Sequence, residues 1–156
     1  MSRALAVLPA ALVTTGAVVA IDQATKWIAI SSVAPGERSE VLPFLAFENS
    51  RNSGVAFGLG GDVSTGVIVA ELVFLVLVLV SLAASSRTSL LIWLPAGLLV
   101  GGALGNLADR ARDGAVIDFI ELPLWPTFNL ADVAIVAGVV LLVIGIGRQE
   151  RAGEPP

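Results

Sequence analysis

Residues 88–110 read TSLLIWLPAGLLVGGALGNLADR, and positions 88–108 carry no charge. About 20 apolar residues, at 1.5 Å rise each, carry a helix across the hydrocarbon core of a bilayer. The stretch therefore predicts a membrane-spanning helix. Gly97, Gly101 and Gly105 recur every four positions. They share a helix face on which another helix can approach closely. The same helix ends in a polar patch: Asn106, Asp109 and Arg110 sit at i, i+3 and i+4, on one face. Such a patch serves as an ordinary cap with a salt bridge. Facing an internal cleft, it offers a guanidinium fork that can hold substrate carbonyls.

Three more stretches are nearly free of charge. Residues 4–21 follow Arg3, residues 63–86 are interrupted only by Glu71, and residues 122–147 are broken only by Asp132. The first reaches spanning length if its helix runs through Asp22 toward Lys26. The expectation is one integral membrane domain over 1–156, with spans at about 4–26, 63–86, 88–108 and 127–147. The composition agrees: 56% hydrophobic, 14% charged, mean hydropathy +0.89, where soluble proteins are about 25% charged. Arg3, the apolar run and the small residues Ala17 to Ala20 also resemble a cleavable signal peptide. The polar cluster Asp22, Gln23 and Lys26 directly behind it argues for a working helix instead. Cations near the span ends orient such a protein. Arg3, Arg87, Arg148 and Arg151 mark one side as cytoplasmic, but Lys26, Arg38, Arg51, Arg110 and Arg112 lie on the other among acidic residues. The loop 31–62 is the one sizeable extramembrane segment. Val41-Leu42 and Phe44-Leu45-Ala46-Phe47 suggest strands of a small sheet there. The polar tail 148–156 is expected to be disordered.

Cysteine and histidine are absent. That excludes disulfides, thiol nucleophiles and Ser-His-Asp triads, and it leaves zinc without its usual ligands. A carboxylate-bound magnesium is compatible with the composition, but no metal or cofactor is expected. No basic stripe offers a nucleic-acid surface. Hydrolytic chemistry would rest on carboxylates. Asp118 lies between Val116-Ile117 and Phe119-Ile120, and burial without a partner would be costly. Asp132 lies one turn into an otherwise apolar span, where an ionisable residue is a functional candidate by default; Asn129 shares its face at i, i+3. Asp118 and Asp132 are 14 residues apart, too far for one helix face but close enough for a short loop to join. Two carboxylates held together share a proton and titrate as a pair. That pair supplies a base for water and an acid for a carbonyl oxygen. In the first loop, Asn49-Ser50-Arg51-Asn52-Ser53-Gly54 suits a turn, Asn52 can present an amide to a peptide, and Phe57 can dip into lipid. Glu71 faces the bundle interior or an interface, with no assigned role.

Five segments in order resemble the lipoprotein signal peptidases, or signal peptidase II: Asp22-Gln23-x-Thr25-Lys26; Asn52-Ser53-Gly54-x-Ala56-Phe57; Gly101-Gly102-Ala103-Leu104-Gly105-Asn106-Leu107-x-Asp109-Arg110; Val116-Ile117-Asp118-Phe119; and Phe128-Asn129-Leu130-Ala131-Asp132. The resemblance implies an all-α membrane fold of four transmembrane helices with a small extracytoplasmic β-cradle. It implies a multi-pass protein of the bacterial cell membrane, both termini cytoplasmic and the active site at the extracytoplasmic surface. The implied activity is an aspartic endopeptidase acting on prolipoproteins just before a diacylglyceryl-modified cysteine. Membrane lipid is a partner, and a self-contained site makes the chain a monomer. The dyad falls on Asp118 and Asp132. Asn52, Asn106, Arg110 and Asn129 would hold substrate backbone, and Asp22, Lys26, Gly54 and Asp109 would support the site. Val133 stands where the family often has Ser or Thr. The competing reading is a proton-coupled carrier or assembly factor using Asp132 and Glu71. A lipid acyltransferase would lack a cysteine or histidine nucleophile.

Overall fold

The computed structural model describes residues 2–53, 63–84 and 89–153. Helix α1 (Ser2–Ser32) leads into the hairpin β1 (Arg38–Leu42) and β2 (Leu45–Asn52). Helices α2 (Val63–Ala84) and α3 (Leu90–Asp113) follow, then a second hairpin, β3 (Val116–Leu122) and β4 (Trp125–Phe128), and helix α4 (Leu130–Gly153). Among the described residues, three helical segments are long and apolar enough to cross a membrane: Val7–Ser32, Leu90–Asp113 and Leu130–Gln149. The described apolar part of α2 is the shorter Ile68–Val78.

Helix α3 is the centre of the bundle, packing on α1 along one face and on α4 along another. Its start is capped by Ser89, whose side chain accepts the Leu91 N–H, and it ends at Gly114 in the left-handed region, φ 72°. A Cβ on Gly97 would lie 2.7 Å from the Ala11 carbonyl oxygen, and one on Gly101 would lie 2.7 Å from Val18 Cβ. These two glycines form the seam with α1, as their spacing predicts. Gly102 does the same for α4, where a Cβ would meet the Ala131 carbonyl oxygen at 2.5 Å.

The two hairpins form one antiparallel sheet in the order β1-β2-β3-β4. The sequence places strands in the first loop alone. The second loop contributes half of the sheet, because Pro123 and Pro126 prevent helix between Leu122 and Phe128. The apolar stretch beginning at Leu122 is thus a hairpin arm before it is a helix. The helices also outrun the expected limits: α1 reaches Ser32, α3 reaches Asp113, and α4 continues to Gly153 where a disordered tail was expected. Arg148, Gln149, Glu150 and Arg151 are strong helix formers and extend α4 as a polar end. Between β2 and β3, Ser50 lies opposite Asp118 and Asn52 opposite Val116, so Asp118 and Asn52 project from the same face. Phe47 and Phe119 meet edge to face, ring centroids 6.2 Å apart.

Candidate active site

The first turn of α4 carries half of the site. Asn129 is its N-cap: Asn129 Oδ1 accepts the Asp132 N–H at 3.0 Å, and Asp132 Oδ2 accepts the Asn129 N–H at 3.1 Å. This is a reciprocal capping box built from Asn and Asp. It uses one carboxylate oxygen of Asp132 and fixes the rotamer. The other, Oδ1, accepts from Asn106 Nδ2 at 2.8 Å.

The other half comes from β3. Asp118 is 2% exposed. Its Oδ2 accepts from Asn52 Nδ2 at 2.8 Å and its Oδ1 from Asn129 Nδ2 at 2.7 Å. Asn129 therefore touches both aspartates and locks the strand to the helix cap. Burial pushes the Asp118 carboxyl up from 3.8 to about 6. The Asn52 hydrogen bond opposes that rise, the charge of Asp132 adds to it, and Asn129 and Lys26 oppose it further.

Beneath the pair lies a buried cation. Lys26, 1% exposed, sits 2.8 Å from Asp22 Oδ2 and 2.7 Å from Asp109 Oδ2, and donates to Asn106 Oδ1 at 2.9 Å. An ammonium only donates. Asn106 must therefore show its oxygen to Lys26, which turns its amide nitrogen toward Asp132. The carboxylates tie the elements together: Asp22 Oδ1 accepts the Ala131 N–H at 3.0 Å, and Asp109 Oδ2 accepts the Ile117 N–H at 3.3 Å. Gly105 makes room for this, since a Cβ there would lie 2.6 Å from Asp22 Oδ2. Among the described residues, no group of three or more acidic side chains is disposed to ligate a metal.

The structure thus brings Asp118, Asp132, Asn52, Asn106 and Asn129 into one network, with Asp22, Lys26 and Asp109 under it. Arg110 is placed differently: it turns to α2 and pairs with Glu71. Gly54 and Phe57 lie outside the described residues. Sequence reading gave no role to Gln23, whose amide donates to Asp109 Oδ1 at 2.9 Å, or to Arg112, 3.3 Å from the same oxygen. Gln23 lies between Asp22 and Lys26, and that position was its only signal. Val133 is 46% exposed and lines a groove outside the pair. This groove, about 550 Å³, runs along α4 from Asp132 past Trp125, Phe128, Val136, Val140 and Leu141.

The model for the family described as Signal peptidase (SPase) II matches residues 14–147. The chain is 38% identical over 139 residues to the lipoprotein signal peptidase of Moorella thermoacetica, covering 86% of this chain and 93% of the relative. It is 43% identical over 139 residues to that of Syntrophomonas wolfei, covering 86% and 92%. Against that of Staphylococcus aureus strain MRSA252 it is 33% identical over 134 residues, covering 83% and 82%. A bacterial membrane enzyme solved by the in meso method at 2.3 Å superposes with a TM-score of 0.82 and 28% identity, over 96% of this chain and 94% of that one. One solved at 1.9 Å gives 0.82 and 30%, over 89% and 93%.

Proposed function

Because this chain belongs to the signal peptidase II family, its activity is the removal of signal peptides from prolipoproteins, and we propose that it acts as an aspartic endopeptidase with Asp118 and Asp132 as the reacting pair. The observation that carries this reading is the placing of Asn129 between the two carboxylates: its side-chain amide donates to Asp118 and its backbone N–H donates to Asp132. The reaction needs one proton on the pair. Burial favours that proton on Asp118, which leaves Asp132 as the base. Asp132 takes a proton from water as the water oxygen attacks the scissile carbonyl carbon. Asp118 gives its proton to the carbonyl oxygen. When the tetrahedral intermediate collapses, the hydroxyl proton returns to Asp118, the C–N bond breaks, and the proton held by Asp132 goes to the leaving nitrogen. General acid–base groups of this kind contribute about 10²- to 10⁴-fold each.

The groove along α4 fits the class of substrate. It is lined by apolar side chains and begins at Asp132. An acyl chain lying in it would leave the bond beside a lipidated cysteine at the carboxylates. Asn52, Asn106 and Arg110 are assigned to the substrate backbone, and Asp22, Lys26 and Asp109 to the shape of the site.

In this reading α2 is a fourth span. Successive helices then alternate in direction, and both termini lie on the side opposite the sheet. Arg3, Arg87, Arg148 and Arg151 suit a cytoplasmic side, the cations of the other side lie among acidic residues, and the resemblance to the family decides the orientation, with the aspartates working at the extracytoplasmic surface of the cell membrane. One chain supplies both aspartates and the amides that hold them, so a monomer suffices for the site. The carrier reading loses its basis, because Glu71 pairs with Arg110 on α3 and not with Asp132.

The test is reconstitution with a diacylglyceryl-modified prolipoprotein and observation of its size shift. Asp118→Asn and Asp132→Asn are each expected to lower turnover by about 10³-fold or more while remaining folded. Full turnover by either folded variant would refute the dyad.

A further inference from the structure

The sheet turns twice at one end, and both turns are apolar. The register of β2 on β3, with Ala46 opposite Glu121, puts the β1–β2 turn and the β3–β4 turn side by side. Each is a two-residue loop opened by proline. Pro43-Phe44 lies between the paired Leu42 and Leu45, and Pro123-Leu124 between the paired Leu122 and Trp125. Two-residue hairpin loops favour Asn, Asp and Gly, which tolerate positive φ. Leu124 stands at φ 64° instead, where a residue with a Cβ is strained. It is also fully exposed, and Val41, Leu42, Phe44 and Trp125 are exposed with it. In water, asparagine or glycine would relieve that backbone and lose no packing. Residues 41–47 and 122–131 carry no charge, while Arg38, Glu40 and Glu121 tie the strands together behind the turns.

This end of the sheet continues a surface that faces lipid. Trp125 lines the groove along α4 together with Val136, Val140 and Leu141. Those three side chains are exposed on a helix long and apolar enough to cross the membrane. Through Trp125 the apolar strip of α4 runs on, past the end of the helix, onto the turn at Leu124. Tryptophan is the residue enriched where hydrocarbon gives way to water. We propose that the two turns, with Leu124 and Phe44 at their tips, dip into the leaflet on the sheet's side of the bilayer that α4 crosses. The partner is the acyl region of the lipid itself. Large uncharged side chains gain by leaving water. Proline at the head of each turn removes a backbone N–H that hydrocarbon could not satisfy. The sheet is then held at the lipid surface by its own end, and the mouth of the groove beside Asp132 lies level with the membrane. The inference makes no use of the aspartates and rests on α4 as a span.

The chain has no cysteine, so a single introduced one carries a nitroxide label at one place. Leu124→Cys and Phe44→Cys report the two tips. Ser39→Cys reports an exposed position of β1 away from the turn, and Val143→Cys an exposed position within the span of α4. Each labelled full-length chain is checked for parental thermal unfolding in detergent, then reconstituted in vesicles of phosphatidylethanolamine and phosphatidylglycerol. Collisions of the label with oxygen, which concentrates in lipid, are compared with collisions with a water-soluble nickel chelate. The hydrocarbon region holds no water, so the oxygen-to-chelate ratio at Leu124 and Phe44 is expected to resemble that at Val143 and to exceed that at Ser39 by about threefold or more. If one tip variant does not fold, the other decides alone. A ratio at either folded tip equal to that at Ser39 places the turn in water and overturns the proposal. Tips shielded from both reagents overturn it too, since protein, such as a second copy of the chain, would then be the cover. Free access of the chelate to Val143 removes the span and the inference with it.

Discussion

Replacing Lys26 by Met removes a cation that two buried carboxylates share. The ammonium lies 2.8 Å from Asp22 and 2.7 Å from Asp109, and both carboxylates are fully buried. Met fills much the same volume, so packing changes little and the loss is electrostatic. Removing one partner of a buried pair costs about 3–5 kcal/mol, a large part of the roughly 5–15 kcal/mol that holds a domain folded. Asp109→Asn is a smaller insult. It leaves Lys26 and Asp22 as a neutral pair, and the lost bonds to a charged acceptor are worth about 1.5–3 kcal/mol. The order of harm is therefore Lys26→Met first and Asp109→Asn second. Thermal unfolding of the purified chain in detergent reads it directly. At about 2–4 °C per kcal/mol for a chain this long, Lys26→Met is expected to lower the midpoint by about 6–20 °C. Lys26→Met also removes one of the two donors to Asn106 Oδ1 and leaves Asn129 Nδ2, at 3.1 Å, to hold the amide alone, so its cleavage rate falls even well below the unfolding temperature. A Lys26→Met midpoint equal to the parent's, or Asp109→Asn proving the more harmful, would refute the reasoning.

Asp118 gives a prediction in pH. Its carboxyl is held at about 6 in the fold against 3.8 ordinarily. The native state therefore binds this proton more tightly than the unfolded chain. The stability it contributes is present below about pH 4 and is lost as pH rises to about 6. The rate kcat/KM is expected to fall across the upper part of that window, as the shared proton leaves the pair. Asn52→Ala removes a hydrogen bond that opposes the rise, so the falling limb moves to higher pH; a shift to lower pH contradicts the assignment. Gly105→Ala puts a methyl 2.6 Å from Asp22 Oδ2, which must displace that carboxylate from the Ala131 N–H. Activity falls at least tenfold while the chain still folds, and cleavage at the parental rate would show that Asp22 does not set the position of α4.

Much of the site was legible because a membrane punishes polar groups. Asp132 and Glu71 stand out against apolar runs, and Asp118 between Val116-Ile117 and Phe119-Ile120 does the same. Glycines at intervals of four announced the seam between α3 and α1. Gly102 was not legible as the seam with α4, because it lies off that interval and its neighbour Ala131 is distant in sequence. Nor was the strand nature of Asp118. Residues 116–122 are too short a run to separate strand from helix by periodicity, and their partner strand lies over 60 positions earlier. Arg110 was read with Asn106 and Asp109 because i, i+3 and i+4 share a face. A helix face is broad, and the long arginine side chain leaves it for α2.

The pairing of Asp22 with Lys26 at i, i+4 bears on how the chain enters the membrane. The first helix arrives with its charges already neutralised against each other, so it can be inserted before anything else exists. Asp109 and the amides of Asn106 and Asn129 come from segments made at least 80 positions later. Until α3 and α4 dock, Asp132 has no Asn106 beside it and Asp118 has no Asn129. A chain whose helices have not docked therefore carries both carboxylates without the amides that hold them. Docking of the helices, later than the synthesis of any one of these residues, is the step that completes the network.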